Sequence, residues 1–146
     1  MAFVFPSTVR SQVLAQHEEL REFTSRTAAE ADRGTLQPET LARLAREIHR
    51  RFHDHLLFEE KALVPVLWAV DGWGPERVQE LRSDHARQRR ELDDVLAGLE
   101  SGWSGERLAL ELTRLTDDLM KDMAEEETGC LRASLLNDGC LSYERH

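Results

Sequence analysis

The sequence predicts an all-α protein, an up-down-up-down four-helix bundle with a metal site in its core, and three observations carry that fold. The composition is that of helices: aromatic residues make up only 6%, Gly numbers 8 and Pro 4, while Ala, Leu, Glu and Arg abound. Four segments place apolar residues at alternating steps of three and four. Short breaks containing Gly, Pro or Trp separate them, and short connections make successive helices antiparallel neighbours.

The first segment, about 6–32, aligns Val9, Val13, His17, Leu20 and Thr24 and stops at Arg33-Gly34. The second opens at Pro38, a residue suited to a first helical turn, and repeats Leu41, Leu44, Ile48, Phe52, His55, Glu59, Ala62 and Val66. Pro65 is expected to end or kink it ahead of Asp71-Gly72-Trp73-Gly74. The third runs from about Pro75, with Val78, Leu81, His85, Leu92, Val95 and Leu99 on one face, to Ser101-Gly102. The fourth runs from about Gly105 through Leu108, Leu112, Leu115, Leu119, Asp122, Glu126 and Gly129, with its end expected before Asn137-Asp138-Gly139. The tail after Gly139 shows no periodicity and is assigned no structure.

A length of 146 residues suits one domain with a real core, residues 1–146. The net charge of −9 and pI near 5.1 argue against nucleic acid or an anionic membrane as partner, since both attract basic surfaces. Nothing approaches the roughly 18 to 20 apolar residues of a membrane span, and the opening Met-Ala-Phe-Val-Phe-Pro lacks the features of a signal peptide. A cytoplasmic location is expected. Cys130 and Cys140 are too few for a disulfide framework and lack metal-finger spacing, so they start as free thiols.

Each apolar stripe is interrupted at mid-helix by a metal-competent side chain: His17, His55 with Glu59, His85, and Asp122 with Glu126. Alone, any one of these reads as an ordinary hydrogen-bonded residue. Six in one layer would be costly without a common partner, and a cation supplies one. The register also repeats. His17 and His85 lie 68 positions apart and Glu59 and Glu126 lie 67 apart, so the second helical hairpin repeats the first. A spacing of four puts 55 with 59, and 122 with 126, on one helical face. Carboxylates and imidazoles projecting inward from all four helices are how di-iron bundles are built. His49 and His53 are also spaced by four, but they share a face with Arg46, Arg50 and Glu60 and are expected to face solvent; His146 is terminal.

These residues resemble the hemerythrin-like (HHE) cation-binding domain family. The resemblance lies in His17-Glu18-Glu19-Leu20, in His55-x-x-x-Glu59-Glu60 followed by Leu63-Val64-Pro65-x-Leu67, in Asp84-His85 and in Glu126-Glu127, and it spans the whole chain. It implies a four-helix bundle around two non-haem iron ions, with zinc as a possible substitute. Members of the family carry oxygen, sense oxygen, nitric oxide or iron, or degrade peroxide. The resemblance carries metal ligation to His17, His55, Glu59, His85 and Glu126. Asp122 stands where the family usually has His, and reads as a ligand, a hydrogen-bonding neighbour of one, or neither.

Added carboxylate donors are hard and anionic and stabilise the ferric state. The sequence therefore points to a di-iron protein that reacts with or senses oxygen, peroxide or nitric oxide, with a small diatomic or peroxide ligand and no organic substrate. An iron-sensing module with metal-dependent folding and a reversible oxygen carrier are the alternatives. Cys130, one turn beyond Glu126, and Cys140 read as ordinary thiols, or as a pair that an oxidant made at the metal could join.

Overall fold

In a computed structural model of the chain the described residues are 4–32 and 37–139. They form four helices, α1 (Pro6–Asp32), α2 (Pro38–Val70), α3 (Gly74–Glu100) and α4 (Gly105–Thr128), in an antiparallel bundle where α1 and α3 each pack between α2 and α4. The expected end of the first helix at Arg33-Gly34, the tail after Gly139, Cys140 and His146 lie outside the described residues.

Local chemistry sets the helix starts. Pro38 opens α2 with Glu39 in its first turn, where a negative charge faces the helix dipole favourably. Ser104 caps α4 by accepting the Arg107 N–H at 3.2 Å. Between α3 and α4 the chain reverses at Gly102, whose φ of +87° suits glycine, and Trp103 folds back so closely that a Cβ on Gly98 would overlap its indole.

Two expectations are corrected. Pro65 does not end α2, which continues to Val70 and stops, as expected, before Asp71-Gly72-Trp73-Gly74. Proline forfeits one helical hydrogen bond, but Leu63, Val66 and Leu67 on either side of it are buried, at roughly 1.5–3 kcal/mol for each such side chain, and packing carries the helix past the gap. The fourth helix, expected to run toward Asn137, ends at Thr128, with Gly129 donating to the Glu126 carbonyl at 3.1 Å. Leu131, Leu135 and Leu136 are still buried, but in turns folded under the end of the bundle. That segment is tied to α1: Arg10 Nε donates to the Leu131 carbonyl at 2.7 Å, and Ser7 donates through its N–H and hydroxyl to Asp138.

The core is divided. One apolar cluster holds Leu20, Ile48, Phe52, Leu92, Leu119 and Met123; another holds Val9, Val13, Leu63, Leu67, Val78, Leu81, Leu131 and Leu136. The helices α1, α2 and α3 pass from one cluster to the other across a polar residue, His17, His55 with Glu59, and His85, while α4 leads from the first cluster past Glu126 to the turns that place Leu131 and Leu136 in the second. Among the described residues, no helix is long and apolar enough to cross a membrane.

Candidate metal centre

His17 and His85 are fully buried, Glu59 is 1% exposed and His55 6%. Side chains so desolvated must be paired, neutral or bound to an ion. His17, His55, Glu59 and Glu126 each bring one ligand atom into a group lying within 4.8 Å of one another, the His17 and His55 rings 5.0 Å apart between centroids. His85 adjoins this group through Glu59, whose Oε1 lies 3.0 Å from His85 Nε2 and 3.4 Å from His55 Nε2. Glu59 is thus the residue common to both sides of the layer.

The outward nitrogens of the histidines are held from behind. His17 Nδ1 lies 2.7 Å from Glu127, which also takes Arg21 at 2.6 Å. His85 Nδ1 lies 2.9 Å from Glu60, which Arg89 grips through both oxygens at 2.7 and 2.6 Å. His55 Nδ1 meets Gln16 Oε1 at 2.8 Å. A neutral imidazole has one N–H; with Nδ1–H donated outward, the Nε2 lone pair faces the centre, the state a metal ligand needs. Arg89 and His85 hold the Glu60 carboxyl down at about 2, so this support stays ionised.

The two hairpins are therefore equivalent at the level of side chains. Arg21 follows His17 by four residues as Arg89 follows His85, and Glu60 and Glu127 are the second members of the two Glu-Glu pairs. The equivalence is not complete. Asp122, the counterpart of His55, turns one oxygen to Arg87 at 3.0 Å and stays outside the group of four.

Burial lowers the His55 imidazole to about 3, helped by neighbouring His17 and His85, so it is neutral. Burial, and the Glu126 carboxyl beside it, raise Glu59 well above the usual carboxylate range. Burial would raise Glu126 as well, but contact with Glu59 and His17 outweighs it and lowers that group. Two adjacent buried carboxyls cannot both ionise without a counter-charge, so the pair keeps a proton that a cation would displace.

The donor set fits a cation. His17 Nε2 and Glu126 Oε1 lie 3.2 Å apart without forming a hydrogen bond, and Glu59 Oε2 and Asp122 Oδ2 are likewise buried without hydrogen bonds, an arrangement that costs stability unless something else binds them. They surround a cavity of about 10 Å³, room for about one water molecule, closed by Phe52, Leu119 and Met123. Outside it a groove of about 230 Å³ runs between α3 and α4, rimmed by the exposed Glu80, Asp84 and Glu125 and reaching Asp122, Glu126 and Cys130. Burial pushes the Cys130 thiol up, which makes it a poor nucleophile.

Of the six residues singled out in the sequence, then, four converge, His85 joins them through Glu59, and Asp122 lines the cavity edge. His49 pairs with Asp93 at 2.8 Å and its ring stacks on that of His53, away from the layer. Sequence reading passed over Gln16, Arg21, Arg87, Arg89 and Gln88, and assigned no role to Glu60 or Glu127. The repeat held the signal for four of them: the offset of 68 that pairs His17 with His85 also pairs Arg21 with Arg89, and the offset of 67 pairs Glu60 with Glu127.

The sequence pattern of the Hemerythrin HHE cation binding domain family matches residues 8–133, a stretch that contains all four helices from the second residue past Pro6 onward. No curated protein and no solved structure gives a significant match.

Proposed function

The chain belongs to the hemerythrin HHE cation-binding domain family, and from that premise we propose that it is a non-haem di-iron protein that reacts with or senses oxygen, peroxide or nitric oxide. The observation that supports this reading is the set of buried ligand atoms without hydrogen bonds from His17, Glu59, Glu126 and Asp122, facing one small cavity. His17, His55, Glu59 and Glu126 would hold the iron, with His85 and Asp122 beside them. A pair of iron ions supplies one- and two-electron redox chemistry that no side chain here provides.

The chain's own residues do the rest. Glu127, Glu60 and Gln16 orient the three imidazoles. Phe52, Leu119 and Met123 keep bulk water from the cavity and limit ligands to a few atoms. Asp122 in place of a neutral imidazole adds negative charge, which favours the ferric state and hence net oxidation over reversible oxygen carriage. An iron-sensing module is the second reading, favoured by a donor set drawn from α1, α2 and α4: loss of the ion would leave like charges buried across the bundle.

Metal quantitation with an ultraviolet-visible spectrum tests the proposal. About two irons per chain and near-ultraviolet absorption of an oxo-bridged ferric pair are expected. Absence of iron after iron-replete expression would defeat it, and a single tightly held ion would replace the di-iron reading with a mononuclear one. Turnover of peroxide separates the redox reading from the sensing one.

A further inference from the structure

Gln88 sits on α3 one turn beyond His85 and is only 7% exposed, yet its amide makes no hydrogen bond among the described residues. It lines both the small cavity at the candidate centre and the outer groove between α3 and α4, as do Asp122 and Glu126. These three side chains thus form the neck between solvent and the centre. The repeat makes the polarity of position 88 informative. The offset of 68 that pairs His17 with His85 pairs Leu20 with Gln88, and Leu20 is a buried core residue. An apolar side chain packs at that place in one hairpin, while the other holds an amide of similar size that opens onto the groove. Two departures from the repeat, Gln88 for Leu and Asp122 for His, fall on the same neck.

We propose that Gln88 is a positioning residue for the small ligand of this centre: it donates an amide N–H to the outer acceptor atom of a ligand that enters the cavity from the α3–α4 groove. The inference rests on the metal-binding reading above and adds to it the ligand's path and its hydrogen-bonding partner. The amide is neutral at all relevant pH, so it can donate without altering the charge of the carboxylate-rich neck. It would favour ligands with a hydrogen-bond acceptor at the end away from the metal over ligands without one.

The probe is azide, titrated into iron-loaded full-length protein and followed by visible absorption, with iron content and melting temperature measured on the same samples. Gln88→Leu restores the residue of the repeat at nearly constant volume. It is expected to retain wild-type iron content, melt close to wild type, and bind azide about tenfold more weakly, the scale of a lost hydrogen bond to a charged acceptor. Gln88→Met, also apolar but unbranched, is expected to do the same and serves if the Leu variant does not fold. A merely structural amide would change iron content or melting temperature and would not move azide affinity on its own. Unchanged azide affinity in the variants overturns the inference, as does loss of iron, which would make Gln88 a ligand. Wild-type protein that holds iron but takes up no azide overturns it too. Wild-type protein without iron is seen in the metal assay before azide is added, and defeats the metal-binding reading itself.

Discussion

Arg87 of α3 reaches across to α4 and donates a hydrogen bond to Asp122 Oδ1 at 3.0 Å, leaving Asp122 Oδ2 buried and without a partner. One oxygen of this carboxylate is committed to Arg87, and the other faces the cavity that His17, His55, Glu59 and Glu126 also line.

Asp122→His is expected to keep two irons, raise the iron potential, and slow irreversible oxidation of the reduced protein by oxygen. Asp122→Ala should loosen one ion more than the other. If Asp122 acts only through a hydrogen bond to a ligand, its loss weakens affinity by about 10- to 100-fold without removing a coordination bond. Stepwise iron titration and potentiometry on both variants distinguish these outcomes, and an unchanged potential in Asp122→His would sink the argument that this residue biases the centre toward redox chemistry.

Glu60 and Glu127 carry the imidazoles of His85 and His17. Glu60→Gln and Glu127→Gln should each weaken metal binding by about 10- to 100-fold while leaving helix content intact. Competition against a chelator of known affinity measures the first quantity and circular dichroism the second.

His55→Ala and Glu59→Ala should each remove metal and lower the melting temperature of protein purified with iron. His49→Ala should leave metal content unchanged and cost less than about 1 kcal/mol, because the pairing of His49 with Asp93 is exposed. Equal metal loss for His49 would show that the inward face of α2 has been misassigned.

Removing the metal should reverse the sign of one substitution. In chelator-treated protein Glu59→Leu replaces a buried, desolvated carboxyl by an apolar side chain and should raise the melting temperature, whereas in iron-loaded protein it should lower it. Paired melting curves with and without chelator test the crossing; parallel shifts in both states would argue against a cation on Glu59.

On the surface, Glu47 is held at about 2 by hydrogen bonds from Arg50 and Arg51. The depressed value means that its contribution is fully present above the unfolded value of roughly 4.3 and is lost as pH falls toward about 2. Glu47→Gln should therefore lower stability at neutral pH by less than about 1 kcal/mol, the group being partly exposed, and the difference should disappear near pH 2. Chemical denaturation across that range is the measurement.

The helices and the inward layer were legible because they rest on periodicity: His17, His55, Glu59, His85 and Glu126 stand out as polar residues on apolar stripes. Where two local signals competed, the reading went astray. Pro65 signals a stop, but the leucines and valines around it are core residues and outweigh one missing hydrogen bond. Leu131, Leu135 and Leu136 prolong the apolar spacing of α4, yet the same burial is reached by turns after Gly129. The supports of the site were hidden for another reason. Arg21, Arg89, Glu60 and Glu127 look like solvated helix surface, because a charged residue carries no mark in sequence of whether its head group meets water or an imidazole. Gln88 was invisible until the hairpins were compared position by position.

The supporting pairs also cross between the hairpins. Glu60 belongs to α2 but holds His85 of α3, and Glu127 belongs to α4 but holds His17 of α1. Neither hairpin can complete a centre alone, since each supplies an imidazole whose acceptor lies on the other. A chain opened in the Asp71–Trp73 turn should yield two fragments that are poor metal binders apart and reconstitute the centre when mixed. Iron then becomes the link between the fragments, and its concentration should control how tightly they assemble.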